Sequence, residues 1–216
     1  MIAKILSKNT PPDEYGRRFA FFQIVDHPEK GSTPTIPDET FLISRRESDP
    51  WTAVIRWARH YGVRLACAES CTGGLVSAGL TAIAGASRVV MGGVVAYDNR
   101  VKRDLLKVPA DCLGRFGAVS EECACGMADG CRELFGVDLA ISVTGIAGPG
   151  GAVPGKPVGT VCFARATRSG IDSLRCQFSG TRDEIRVQAA EMACAILLLT
   201  IREGAGYEGL SGYSTW

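Results

Sequence analysis

Histidine is almost missing from this chain: two occur among 216 residues, His27 and His60. His27 lies in a proline-rich stretch, and His60 closes an amphipathic segment, where a cation suits the helix dipole. Neither is beside a glycine-rich loop, which argues against a Ser-His-Asp arrangement. Lysine is scarce as well, with Lys102, Lys107 and Lys156 alone after residue 50. Excess charge of either sign is lacking, with 24 Lys and Arg against 23 Asp and Glu, so no dedicated nucleic-acid surface is expected. No apolar run is long enough to span a bilayer, and residues 1–10 have no secretory h-region, so the expectation is a cytoplasmic chain without a membrane partner. The nine cysteines, an odd number, fit a reducing compartment. Cys67, Cys123, Cys131, Cys162 and Cys194 sit in apolar periodic segments, where thiols act as small hydrophobes. Cys123 and Cys125 form one Cys-x-Cys pair without histidines nearby, so neither a metal nor a cofactor is expected.

What is present has a clear organisation. The length suits one ordinary domain with a substantial core. Residues 1–50 are rich in proline and charge, interrupted by the apolar run Phe19 to Val25, and read as an extension with at most one strand. From Pro50 onward, strand-like and helix-like segments alternate. Helices are expected over Trp51 to Tyr61, Leu75 to Ala84, Asn99 to Leu106, from the Ser120 cap to Gly136, and from the Thr181-Arg182-Asp183-Glu184 capping box to about Ile201. Strands are expected over Arg64 to Ala68, Val89 to Tyr97, Leu139 to Val143, Thr160 to Thr167 and Leu174 to Phe178. The alternation predicts an α/β layer architecture, and residues 203–216 read as a loose tail.

Two glycine-rich turns follow strands. Ala68-Glu69-Ser70-Cys71-Thr72-Gly73-Gly74 links a strand to a helix, which puts a hydroxyl where backbone N–H groups converge. Ser70 is a candidate nucleophile, with Cys71 as its rival, and the turn is a candidate oxyanion or phosphate cradle. Thr144-Gly145-Ile146-Ala147-Gly148-Pro149-Gly150-Gly151 also leaves a strand end, the edge where open α/β sheets bind ligands. Without a usable histidine, a Ser–Lys pair is the remaining way to activate Ser70, provided that the lysine is pushed towards neutrality. Lys102, at a helix start, and Lys156, in the second glycine loop, are both open to that role or to holding an anion.

These segments stand in a familiar order. Ala68 to Gly74, Gly92-Gly93-Val94-Val95-Ala96-Tyr97 with Asn99 and Lys102, and Gly117-Ala118-Val119-Ser120-Glu121 come first. Thr144 to Gly151, Lys156-Pro157-Val158-Gly159-Thr160, and Phe178-Ser179-Gly180 with the arginines after it follow. Over about residues 51–202 the chain resembles the CinA C-terminal domain family, whose characterised activity is nicotinamide-nucleotide amidase.

The resemblance implies a three-layer α/β/α sandwich with a mixed, mostly parallel sheet. It implies hydrolysis of nicotinamide mononucleotide to nicotinate mononucleotide and ammonia, with a serine–lysine pair and no metal. Those roles fall on Ser70 and Lys102, with Tyr97 beside them. On this reading Cys71, Thr72, Gly73 and Gly74 supply the oxyanion donors. Gly145, Gly148 and Gly150, with Arg182 or Arg186, cradle the 5′-phosphate. Glu69 holds Lys102 or a ribose hydroxyl, or merely stabilises the turn. Asn99 and Thr144 complete the expected substrate contacts, and Thr144 is as well suited to bonding backbone. A homo-oligomer is expected from helix faces rich in Ala and Cys. The alternative is a non-catalytic nucleotide-binding or regulatory module of the same fold. Two departures stand out: Asp98 where the family often has a small polar residue, and Thr181 where it has an acid. The larger members' N-terminal molybdopterin-binding-like domain does not fit in 50 residues.

Overall fold

The computed structural model describes residues 2–5, 22–25 and 49–204. The first two stretches, β1 (Ile2–Ile5) and β2 (Phe22–Val25), pair antiparallel with Ile2 opposite Val25, inside a unit of their own spanning Met1–Arg46. β2 falls in the apolar run expected to hold a strand, while its partner β1 was not expected. His27 and the expected tail beyond Gly204 lie outside the described residues.

In the second unit, Glu47–Trp216, local signals place the elements. Asp49 caps α1 (Pro50–Tyr61) by accepting from the Thr52 N–H at 3.2 Å, and Gly62 closes it with φ +68°. Then come β3 (Leu65–Glu69), α2 (Leu75–Thr81), a 3₁₀ turn at Ala86–Arg88 and β4 (Val90–Val95). α3 (Asn99–Asp104), α4 (Ala110–Phe116) and α5 (Glu121–Phe135) follow. β5 (Leu139–Gly145), β6 (Thr160–Ala166), β7 (Ile171–Gln177) and α6 (Arg182–Gly204) complete it. The Thr181 capping box forms in both directions, Glu184 Oε2 accepting from the Thr181 N–H at 2.7 Å and Thr181 Oγ1 from the Glu184 N–H at 3.4 Å.

The sheet runs β4-β3-β5-β6-β7. β3 is parallel to both neighbours, whereas β6 is antiparallel to β5 and β7, so four of the five strands point one way in a mixed sheet. α5 covers one face, burying Cys123, Met127 and Cys131 against Ala66, Ala68 and Ala140, with Leu106 and Val108 filling the same layer. α6 packs on β5 and β6 at the other face, with α1 and α2 against it. Three layers result, the burial pattern of an α/β sandwich.

Several bounds differ from expectation: β7 begins at Ile171 rather than Leu174, α3 ends at Asp104 rather than Leu106, and α6 runs on to Gly204, into the first residues of the expected tail. α2 stops at Thr81 because the chain must turn at Gly85, whose φ is +84°. α4 was not expected at all; no side chain of it is fully buried, and only Cys112 and Leu113 pack half-buried on the core, too few to read as an apolar stripe. Among the described residues, no helix is long and apolar enough to cross a membrane.

Candidate active site

β3 and β5 are adjacent and parallel, with Glu69 opposite Val143, so the turns after both strands emerge side by side. The Ser70 N–H donates to the Val143 carbonyl at 2.8 Å, which extends the sheet by one rung and fixes the backbone of the candidate nucleophile. The chain then crosses to α2 through Gly73 (φ +61°) and Gly74 (φ +103°), the left-handed region that favours glycine.

The anion that this helix start attracts turns out to be internal. Glu69, fully buried, accepts from the N–H groups of Gly74 (2.9 Å), Val76 (3.0 Å) and Ser77 (2.8 Å) and from Ser77 Oγ (2.7 Å). Its carboxylate is saturated by the first turn of α2, as a helix N-terminus favours. Of the roles considered for Glu69, the structure shows the stabilisation of the turn. One expectation is corrected: the Gly74 N–H is committed to Glu69 rather than open to an oxyanion. Gly73 is also engaged, its N–H donating to the Ser70 carbonyl at 3.2 Å. Among the described residues, the N–H groups of Cys71 and Thr72 donate to no backbone carbonyl.

Lys102 comes from α3, whose first turn is capped by Asp98, and is the largest fully buried side chain of the domain at 1% exposure. Its Nζ lies 3.2 Å from Ser70 Oγ, 2.7 Å from the Ala96 carbonyl and 3.4 Å from the Tyr97 carbonyl. Burial pushes this lysine below its ordinary 10.5, and desolvation is the dominant cause. Cys123 and Cys71 would oppose that as thiolates, but burial raises them to about 11 and about 12, so both are neutral at ordinary pH. Asp98, an acid near Lys102, would raise the lysine's pKa, but the net shift is downward. Asp98 is exposed, caps α3 and pairs with Arg100, and its pull is outweighed by desolvation. A neutral amine has two N–H donors and one lone pair. As an ammonium Lys102 donates to both carbonyls and to Ser70 Oγ; once neutral, it keeps two N–H donors for the carbonyls and turns its lone pair to the Ser70 O–H.

A cleft of about 200 Å³ opens over this pair, lined by Ser70, Cys71, Tyr97, Asn99, Thr144 and Arg182 among others. The Tyr97 ring is 64% exposed at its rim, with Arg182 Nη2 donating to its hydroxyl at 3.3 Å. It is the Tyr97 backbone carbonyl, not the phenol, that reaches the lysine. Arg182 Nη1 donates to the Gly148 carbonyl at 2.6 Å, so this guanidinium links Tyr97, after β4, to the second glycine-rich loop. Thr144 Oγ1 donates to the Ala118 carbonyl at 2.7 Å, the backbone role of the two considered for it. Gly145 belongs to the β5–β6 ladder and faces the cleft, while Gly150 is exposed and does not line it.

Arg186 points elsewhere, to the Cys71 and Thr72 carbonyls. Lys156, the rival base, donates to the Phe116 carbonyl at 2.6 Å and does not line this cleft. Ala118 and Val119 do line it, although the sequence reading gave them no role; the Gly117-Ala118-Val119-Ser120-Glu121 string was their signal. His60 is exposed among Trp57 and Tyr61 on α1, beside a larger surface cleft of about 660 Å³ that contains no paired nucleophile and base. No group of three or more His, Cys, Asp or Glu among the described residues is placed to hold a metal ion.

Known proteins bear on this arrangement. The sequence model of the CinA C-terminal domain matches residues 50–201. A CinA-like protein of Gemmatimonas aurantiaca is 49% identical over 142 residues, which are 66% of this chain and 33% of that protein. One of Citrifermentans bemidjiense is 47% identical over 146 residues, 68% of this chain and 35% of that protein. The chain thus spans about a third of the length of the curated relatives it matches. A competence-damaged protein (CinA) superfamily structure from Klebsiella pneumoniae superposes with a TM-score of 0.69 at 39% identity, covering 71% of this chain and 96% of that one. A superfamily structure from Escherichia coli gives 0.67 at 32% identity, covering 69% and 88%. With matched segments that contain both glycine-rich turns and the Ser70–Lys102 pair, the chain belongs to the CinA C-terminal domain family.

Proposed function

We propose that this domain is an amidohydrolase that converts nicotinamide mononucleotide to nicotinate mononucleotide and ammonia through a Ser70–Lys102 pair. The observation that carries the reading is the 3.2 Å approach of Ser70 Oγ to the Nζ of a buried, desolvated lysine. Burial of a lysine without a carboxylate partner opposes folding, and a hydroxyl at its lone pair gives it chemical use. Ser70 Oγ attacks the carboxamide carbon while its proton passes to Lys102 Nζ. The N–H groups of Cys71 and Thr72 receive the oxyanion, a contribution of about 3–4 kcal/mol per well-placed donor. Collapse breaks the C–N bond, Lys102 returns the proton, and ammonia leaves an acyl ester on Ser70. Water, deprotonated by the same amine, cleaves that ester and frees the carboxylate.

A cleft of about 200 Å³ is smaller than ordinary ligand sites, which run from roughly 300 Å³ upward. On this reading it encloses the pyridine carboxamide, and the ribose phosphate lies across the rim. Arg182 and the Gly148 to Gly151 backbone then receive the 5′-phosphate, and Asn99 faces the ribose. The homo-oligomer belongs to the same reading; β4 is an edge strand with Met91 and Val95 exposed.

The test is ammonia release from nicotinamide mononucleotide, compared with free nicotinamide and the riboside. Ser70→Ala and Lys102→Ala are each expected to lower kcat by about 10³-fold or more. A strong preference for the phosphorylated substrate is expected as well. Parental rates in both variants would sink the mechanism.

A further inference from the structure

The turn that carries Ser70 is held from outside by a residue of the last helix. Arg186 donates its Nε–H to the Cys71 carbonyl at 3.2 Å and an Nη2–H to the Thr72 carbonyl at 3.1 Å. Its Nη1 reaches Asp183 Oδ1, one helical turn back, at 3.3 Å. Gly73 lies under the guanidinium, since a Cβ there would stand 3.4 Å from Nη2.

The consequence follows from peptide geometry. In a trans peptide the carbonyl and the next residue's N–H point in opposite directions. The Ser70 carbonyl accepts from the Gly73 N–H, which turns the Cys71 N–H the other way. The Cys71 carbonyl accepts from Arg186, which turns the Thr72 N–H away from α6. Two successive N–H groups are thereby oriented through their carbonyl ends, one by the turn itself and one by Arg186. The planar guanidinium spans two adjacent carbonyls with a fixed fork, which a lysine ammonium cannot do.

We infer that Arg186 is the positioning residue of the nucleophile turn. It holds the Cys71–Thr72 peptide so that its N–H faces the oxyanion formed when Ser70 attacks. This rests on Ser70 being the nucleophile proposed above, and it removes Arg186 from the phosphate site, leaving Arg182 there.

The test uses the full chain with Arg186→Gln, Arg186→Lys and Arg186→Gly. Two assays run in parallel: steady-state hydrolysis of nicotinamide mononucleotide, and labelling of Ser70 by a fluorophosphonate. In the labelling, Oγ displaces fluoride at phosphorus and its proton passes to Lys102. A misplaced turn is expected to lower kcat and the labelling rate by about 100-fold. KM should stay within a few-fold, and the pH midpoint should not move because Lys102 is untouched. Arg186→Lys should not restore the rate, whereas methylguanidinium should restore part of it in Arg186→Gly. A raised KM at unchanged kcat would make Arg186 a substrate contact and overturn the inference, as would parental labelling in Arg186→Gln. If the parent labels at Ser70 yet releases no ammonia, the substrate assignment fails. Slow labelling of Arg186→Gln would still support the positioning role.

Discussion

Lys102 and Ser70 show how one residue's surroundings decide its chemistry. An exposed helix lysine is fully charged at neutral pH, but this one sits at 1% exposure against two backbone carbonyls. Activity should therefore rise with pH along a single-proton limb whose midpoint lies below 10.5, because only the neutral amine accepts the serine proton. A profile of kcat/KM against pH checks this; a midpoint at or above 10.5 contradicts it. Stability carries the same signature with a definite sign. The unfolded chain binds this proton up to the ordinary lysine value, and the folded chain releases it earlier. The penalty on folding is therefore full below the folded value and fades as pH rises towards 10.5. Lys102→Met cannot titrate. Its melting temperature relative to the parent should accordingly fall as pH is raised from 7 to 9.5, measured by thermal scans at both pH values. At this scale the sequence was partly legible. Scarcity of histidine and lysine narrowed the base to Lys102 or Lys156, and the resemblance chose Lys102. Glu69 took the turn-stabilising role of the three considered for it, a choice that nothing local makes because no local signal says which way a buried carboxylate turns.

Elements were legible where their ends carry chemistry of their own. The Gly62 stop, the Ser120 cap and the Thr181–Glu184 box formed as their sequences require, while the Asp49 cap of α1 was not read in advance. α4 was invisible for the opposite reason, since its seven residues have no side-chain cap and bring only half-buried Cys112 and Leu113 to the core. The approach of α5 to the segment after α3 is a packing feature that no periodicity reports. A Cβ on Gly130 would stand 1.8 Å from the Leu106 carbonyl oxygen, so backbone rather than a movable side chain blocks it. Helix propensity alone would favour Gly130→Ala by about 1 kcal/mol. The clash should reverse that sign and destabilise the domain by about 1–3 kcal/mol, read as a lower denaturation midpoint. Because Leu106 follows the helix bearing Lys102, the same variant should also slow hydrolysis. A stabilised or unchanged variant would show that the layer can spread at little cost.

For the whole molecule, the arrangement of layers matters more than any single contact. The five-stranded sheet, both glycine-rich turns, α3 and α6 all belong to the unit Glu47–Trp216. Removing residues 1–46 should therefore leave the melting transition of this unit cooperative and its hydrolysis near the parental rate. Loss of either would show that the first unit completes the site. Light scattering at micromolar concentration tests the proposed homo-oligomer, for which a monomer is the contrary result.

The order of the main elements, apart from β1 and α4, and the candidacy of Ser70 could be read from the chain alone, because each depends on residues a few positions apart. The family and its α/β architecture followed from the same local strings. Local spacing left Lys102 and Lys156 open and the resemblance pointed to Lys102; tertiary structure decided the contact itself, for residues 32 positions apart meet only through the pairing of β3 with β4. It also decided that Glu69 occupies the helix start and that Arg186 grips the turn from α6. Burial and direction are properties of the packed layers, and those arise from distant segments meeting rather than from any local sequence.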